Sequence, residues 1–170
     1  MNVPGSELEW GERWADYMSA HARLHLSDGS TLEAGPIAGP TNVGEFPDAL
    51  GRCIFVITAD NPGRDVSDDA NSAAHAQLLR RAKELKWDYL DAHGGDPAWT
   101  HVEACIAVRD VDVRDVLALG REFGQDAIFE WTPKHWALVA CNDGRRMEFS
   151  WQSWWVDPAA VGPHGPREQS

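Results

Sequence analysis

The feature that most constrains the fold is an apolar run, Cys53 to Ala59, that ends abruptly in Asp60-Asn61-Pro62-Gly63-Arg64. The run is apolar on both of its alternating faces, which is typical of a strand covered on both sides or lying at the centre of a sheet. Pro62-Gly63 suits the middle of a type II turn, and a helical pattern with several possible caps follows from Ser67. We therefore predict a buried strand whose carboxyl end directs polar groups to one spot.

The patterns around this strand predict a single α+β domain over residues 1–157, with a mostly antiparallel sheet and two or three helices packed on it. Helices are predicted at 7–19, from 67 to about 85, and from about 112 to 123. Strands are predicted at 21–26, 31–34, 53–59, 101–108, 127–131, 136–141 and 146–151. Stretches rich in Gly and Pro predict loops at 35–51 and 93–97, and the polar end, 158–170, predicts a disordered tail. From Cys53 onward the pattern is compatible with a ferredoxin-like β-α-β-β-α-β order.

Composition limits the function classes. The 170 residues carry a formal net charge of -12, which repels phosphate backbones and makes nucleic acid an unlikely partner. No apolar stretch approaches a bilayer span of about 20 residues, and no signal peptide is recognisable, so we expect a cytoplasmic protein without a membrane partner. Cys53, Cys105 and Cys141 are widely spaced in apolar surroundings, which predicts reduced core cysteines.

Standard catalytic and metal-binding signatures are absent from the sequence. It contains no G-x-x-x-x-G-K-[ST], H-E-x-x-H, G-x-S-x-G or dinucleotide-binding fingerprint, which argues against the commonest nucleotide and hydrolase classes without excluding an enzyme. His101 and Glu103 would share one face of a strand, but zinc requires three or four ligands. Nothing fixes His75 or His93 beside them. We therefore interpret the pair as a solvated strand edge, predict no metal site and leave the cofactor unknown.

A second informative stretch, Phe123-Gly124-Gln125-Asp126-Ala127-Ile128-Phe129, joins a predicted helix to a predicted strand. Together with Ile57-Thr58-Ala59-Asp60-Asn61-Pro62, Asn71 and Glu103, it resembles a bacterial domain-of-unknown-function family, numbered 3293, over about residues 55–139. The resemblance implies five site residues and no mechanism; these residues are Thr58, Asn61, Asn71, Glu103 and Gln125. Asp60 stands where an aromatic or aliphatic residue is expected, which makes the turn more acidic.

We prefer the hypothesis of a polar small-molecule pocket, catalytic or not, at the end of the central strand. Glu103 is the candidate catalytic acid or base, because burial beside apolar neighbours would raise its pKa. The candidate ligand-binding residues are Thr58, Asn61, Arg64, Asn71 and Gln125. Arg64 favours a phosphate at the following helix, whereas the neighbouring aspartates oppose it. We therefore expect a neutral or cationic ligand, or an anion bridged by a metal.

Two alternatives compete with the pocket. The chain has nine tryptophans, several of them near its ends, and these could dock a protein partner in a module without catalysis. Alternatively, Asn61 and Asn71 could simply hydrogen-bond the backbone of the turn, with Glu103 accepting from backbone N–H groups. The coincidence of five polar residues favours the pocket.

Overall fold

The computed structural model describes residues 14–61 and 65–161. Its helices are α1 (Trp14–Ser19), α2 (Asp68–Glu84), α3 (Val113–Glu122) and α4 (Pro158–Val161), with a 3-10 turn at Asp48–Leu50. Its strands are β1 (His21–His25), β2 (Thr31–Ile37), β3 (Ile54–Thr58), β4 (Tyr89–Gly95), β5 (Val102–Arg109), β6 (Ala127–Trp131), β7 (Trp136–Ala140) and β8 (Arg146–Trp155). The predicted start of the first helix, the type II turn at Pro62-Gly63 and most of the predicted tail lie outside the described residues.

The eight strands close into an antiparallel barrel in the order β1-β2-β8-β7-β6-β3-β5-β4. Closure depends on distant pairs: Ala22 of β1 lies opposite Gly94 of β4, and Leu32 of β2 lies opposite Trp155 of β8. The predicted mostly antiparallel sheet is confirmed. The sequence did not predict that the sheet closes, because closure requires pairing between segments far apart in the chain.

Half of the barrel wall follows the β-α-β-β-α-β order with which the sequence pattern from Cys53 onward is compatible. The elements β3, α2, β4, β5, α3 and β6 succeed one another along the chain, and their strands are neighbours in the order β6-β3-β5-β4. Ser67 caps α2 by accepting from the Ala70 N–H at 3.2 Å, and Asp112 caps α3 by accepting from the Arg114 N–H at 2.9 Å. The hairpin β1-β2 and the meander β6-β7-β8, whose strands the sequence predicts, complete the wall.

Two predicted loops were partly wrong. The stretch 35–51 begins inside β2, where Pro36 lies opposite Trp151, and the stretch 93–97 begins inside β4. In β4, Gly95 allows the Trp99 ring to approach closely, since a Cβ at Gly95 would lie 2.7 Å from that ring. These glycines provide space in a strand, a role that local sequence does not separate from loop formation.

The barrel interior is filled by large side chains away from the end where β3 stops. Trp131, Trp136 and Trp151 pack there, and Phe46 and the fully buried Leu50 cover them from the preceding loop. Inward-facing residues near the carboxyl end of β3 are smaller; they include Ala22, Gly94 and Cys105. The large side chains therefore close one end of the barrel and leave room at the other.

Helices α2 and α3 contribute to a second hydrophobic cluster outside the barrel. Leu78 and Ala82 of α2 and Val116 of α3 join Phe55 and Ile57, the outward residues of β3. The central strand is thus buried on both faces, as its continuous apolar sequence predicts. Within residues 14–61 and 65–161, no helix is both long and apolar enough to cross a lipid bilayer.

The outer face of β1 and β2 carries a buried carboxylate, Glu33. It accepts from His21 Nδ1 and Arg23 Nε, both at 2.9 Å, and from Trp99 Nε1 at 3.1 Å. Burial alone would raise the pKa of Glu33, but these three hydrogen bonds outweigh burial and lower it. Arg23 also stacks on the Trp99 ring, with 4.2 Å from its guanidinium carbon to the ring centroid.

Candidate functional site

A cavity of about 430 Å³ opens at the end of the barrel where β3 stops and β5 begins. Its walls come from α1, the start of β1, the end of β4 and the start of β6, as well as from β3 and β5. The apolar part is lined mainly by Ala22, Val56, Cys105, Ala127 and Phe129. The polar part includes Thr58, Asp65, Asp96, His101, Glu103 and Gln125. The cavity is therefore amphipathic.

Helix α1 lies across part of this opening. Met18 and Tyr17 pack with Leu138, Ala140 and Met147 at the barrel end, and the Tyr17 hydroxyl donates to Asp126 Oδ2 at 3.1 Å. Tyr17 also lines the cavity. Tyr17 therefore packs against the barrel end and also forms part of the cavity wall.

Three of the five site residues implied by the family resemblance line the cavity: Thr58, Glu103 and Gln125. The other two stand behind Glu103. Asn61 donates from Nδ2 to Glu103 Oε1 at 3.0 Å, and Asn71 donates from Nδ2 to Asn61 Oδ1 at 3.0 Å. In return, the backbone N–H of Asn61 donates to Asn71 Oδ1 at 2.8 Å. Asn61 and Asn71 therefore hold the carboxylate of Glu103 in place.

The backbone at Asn61 is suited to this arrangement. Its φ of 47° lies in the left-handed region, which Asn tolerates better than most residues. The Asn61 side chain also accepts from the Val66 N–H at 3.2 Å, so it organises the turn that leads into α2. Structural use of Asn61 and Asn71, the third hypothesis from the sequence, thus coexists with placement of Glu103 at the cavity.

Asp60 is the acid that sequence reasoning did not select. Its side chain is only 7% exposed; Oδ2 accepts from the Ala104 N–H at 3.0 Å, and Oδ1 has no hydrogen-bond partner among the described residues. Burial raises its pKa to about 6, and the nearby charge of Glu103 adds to the rise. Its position inside the Thr58–Asn61 motif was the available signal, but the sequence showed only an acidic turn.

Gln125 connects the turn after β3 to the segment between α3 and β6. Its Nε2 donates to the backbone oxygen of Asp60 at 2.9 Å and to that of Phe123 at 3.4 Å. Gln125 is 9% exposed and lines the cavity. The prediction that it lies beside the turn after the central strand is confirmed by these contacts.

His101, immediately before β5, and Glu103 in β5 do contact each other, with 3.3 Å between His101 Nε2 and Glu103 Oε1. This hydrogen bond raises the pKa of His101. Across the described ranges, no group of three or more His, Cys, Asp and Glu side chains is arranged to hold a metal ion. Arg64, the remaining predicted ligand-binding residue, lies outside the described residues.

The comparisons with known proteins give one match. Residues 57–128 match the family described as "Protein of unknown function (DUF3293)". The resemblance predicted from the sequence is confirmed. The match runs from the end of β3 to the start of β6 and includes Thr58, Asn61, Asn71, Glu103 and Gln125. No curated protein and no solved structure matches the chain significantly.

Proposed function

We propose that this chain is an α+β, cytoplasmic domain that binds one small organic molecule in the barrel. The observation that carries the proposal is the cavity of about 430 Å³ at the end of a closed eight-stranded barrel. Barrels of eight strands are either filled by side chains or hold one small ligand. Ligand sites commonly have volumes of roughly 300–1,000 Å³ and combine an apolar lining with a few placed polar groups. The free thiols of all three cysteines support the cytoplasmic location.

Glu103 is the group that we assign to the ligand's polar end. Its side chain is 22% exposed, and Asn61 and His101 fix Oε1, so its orientation is set before a ligand arrives. If the ligand is a substrate, Glu103 is the acid or base that would exchange a proton with it, since it is within the cavity lining. Thr58 and Gln125 complete this polar wall.

The test fills the cavity from within. Ala22 lines the cavity and is 1% exposed, so Ala22→Leu would extend a side chain into the ligand space. Ala118→Leu, on the exposed face of α3, is the matched control. A fragment library is screened by saturation-transfer NMR against all three proteins.

We expect fragments that bind the wild type and the Ala118→Leu protein but not the Ala22→Leu protein. The proposal fails if no fragment binds the wild type, or if binding survives a filled cavity. Should Ala22→Leu fail to fold, Ala127→Leu at the mouth replaces it, because Ala127 also lines the cavity and is less buried.

A protein-binding surface is the second candidate function, and it depends on the end of β8. Trp154 and Trp155 are 40% and 44% exposed there, and tryptophan often anchors protein interfaces. Sedimentation of the wild type and of a Trp154→Ala variant tests this surface for self-association. A concentration-dependent dimer that the substitution weakens would support self-association through this surface. If both proteins are monomers at all concentrations, self-association through this surface is ruled out.

A further inference from the structure

Two side chains of the cavity wall, Gln125 and Glu103, have acceptor atoms without a hydrogen-bond partner among the described residues. Both amide protons of Gln125 are directed to backbone oxygens, so the group it offers a ligand is Oε1, which has no partner among the described residues. Glu103 uses Oε1 for Asn61 and His101, while Oε2 has no partner in the described part of the chain. Both residues line the cavity, and the side-chain atoms that they leave for a ligand are acceptors.

The neighbouring hydroxyl of Thr58 has no proton left to donate to a ligand. Thr58 Oγ1 donates to the Ala104 backbone oxygen at 2.7 Å and accepts from the Asp60 N–H at 3.0 Å. Its single proton is therefore already used within the protein. A ligand that meets this wall must supply donors itself, because an acceptor facing Glu103 Oε2 would leave both groups unsatisfied.

The charges of the lining residues also favour a ligand that donates hydrogen bonds. Asp16, Asp65, Asp96 and Glu103 line the cavity, and its described lining includes no lysine or arginine. Two histidines also line it, but each has a carboxylate partner: His21 Nδ1 contacts Glu33, and His101 Nε2 contacts Glu103. The described lining is therefore acidic in its formal charge.

The inner part of the cavity indicates the chemistry of the remainder of the ligand. Val56 and Phe129 lie on adjacent strands, opposite one another in the ladder, and with Ala22 and Cys105 they form an apolar floor. Burial raises the pKa of the Cys105 thiol well above its ordinary value, so this floor stays uncharged. Apolar surface on a ligand would be removed from water there.

We infer that the occupant is an amphiphilic organic cation, with an ammonium or amidinium head at Glu103 and Gln125 and an apolar body inside the barrel. This inference rests on the proposed binding function and narrows it to a ligand class. An ammonium supplies three donors and a positive charge, and charge-assisted hydrogen bonds are about twice as strong as neutral ones. A carboxylate head would meet like charge and a wall of acceptors, so it is rejected.

The test compares three probes that share a phenyl body and differ in the head: 2-phenylethylamine, 2-phenylethanol and 3-phenylpropanoate. Dissociation constants are measured by NMR titration at pH 7 with the wild-type protein. We expect the amine to bind at least about tenfold more tightly than the alcohol, and the carboxylate to bind most weakly. Added salt should weaken the amine and leave the alcohol nearly unchanged.

Variants assign the preference to one side chain. Glu103→Gln should bring the amine to the affinity of the alcohol, whereas Asp115→Asn, an exposed control on α3, should leave the tenfold ratio intact. If the Glu103→Gln protein does not fold, the ranking and the salt dependence in the wild type decide. Equal binding of alcohol and amine, or tighter binding of the carboxylate, overturns the inference that the ligand is a cation. The proposal that the cavity binds a small molecule is unaffected by that result. Absence of binding by all three probes and by the fragment library overturns the pocket itself.

Discussion

Asn61 Nδ2 and Glu103 Oε1 lie 3.0 Å apart, which ties the turn after β3 to the start of the adjacent strand β5. The bond fixes the carboxylate that lines the cavity, and Asn71 in turn fixes Asn61. A side chain outside the cavity thus determines the orientation of one inside it. Loss of Asn61 should consequently affect both the stability of the turn and the position of Glu103.

Substitutions at Asn61 should separate its side-chain role from its backbone role. Asn61→Gly keeps the left-handed φ but removes the bonds to Glu103 and to the Val66 N–H, so we expect a loss of about 1–2 kcal/mol in the free energy of unfolding. Asn61→Ala should lose at least as much, because its Cβ opposes a positive φ. Urea unfolding measures both. An Ala variant clearly more stable than the Gly variant would contradict the role of φ.

Asp60 should make the protein more stable at lower pH over a defined window. Its pKa is about 6 in the folded protein against an ordinary value of 3.8, so the folded state holds the proton more tightly. This contribution is present below about pH 4 and is lost as pH rises to about 6. Asp60→Asn should raise stability at pH 8 by up to about 3 kcal/mol and flatten this part of the pH profile. Urea unfolding at a series of pH values tests this, and an unchanged profile would argue against it.

The Glu33 cluster should be a major contributor to barrel stability. Glu33→Gln leaves Arg23 and His21 without their charged partner in a buried setting, which should cost about 3 kcal/mol. Trp99→Phe removes the indole donor and reduces the ring on which Arg23 stacks, and it should cost about 1–2 kcal/mol. Asp115→Asn serves as the exposed control. Since the pKa of Glu33 is lowered, its contribution should persist above about pH 4.5 and fall below it. Chemical denaturation of the three variants at pH 7 and pH 4 checks the order.

The three thiols should react slowly in the folded protein. Burial raises the pKa of Cys53 and of Cys141 to about 12, and that of Cys105 well above its ordinary value. At pH 8 a pKa of about 12 leaves roughly one thiol in ten thousand as thiolate. A disulfide reagent such as dithionitrobenzoate should label the protein rapidly only in denaturant. Fast labelling of the native protein, with its fold verified by circular dichroism, would contradict this arrangement.

The sequence predicted the elements whose signals are local. The start of α2 near Ser67, the start of α3 near residue 112 and the apolar run of β3 all depend on residues within a few positions of one another. By contrast, the end of β4, from His93 to Gly95, was predicted as part of a loop because its two glycines have no local partner. In the structure these glycines accommodate the close approach of Trp99 and Cys105. Barrel closure was not predicted for the same reason. β1 pairs with β4 across about seventy residues of chain, and no local signal indicates that pairing.

The site shows the same division. The family resemblance implied Thr58, Asn61, Asn71, Glu103 and Gln125 together, and hydrogen bonds link Asn61 directly to Asn71 and Glu103. Asp60 was taken only as an acidic turn residue, because its burial and its contact with Ala104 depend on β5. The prediction that Glu103 acts as an acid or base remains a prediction, and Arg64 lies outside the described residues.

The family match has a consequence for related chains. Residues 57–128 contain β4 and β5 and reach β3 and β6 at their ends, whereas β1, β2, β7 and β8 lie outside the match. A chain that carried only the matched unit would leave β4 and β6 as unpaired edges, each with a row of free backbone groups. Such a chain must recruit strands of its own, or of another molecule, to protect those edges. What it recruits would form the opposite wall of the cavity, so ligand choice could differ between chains that share the same five polar residues.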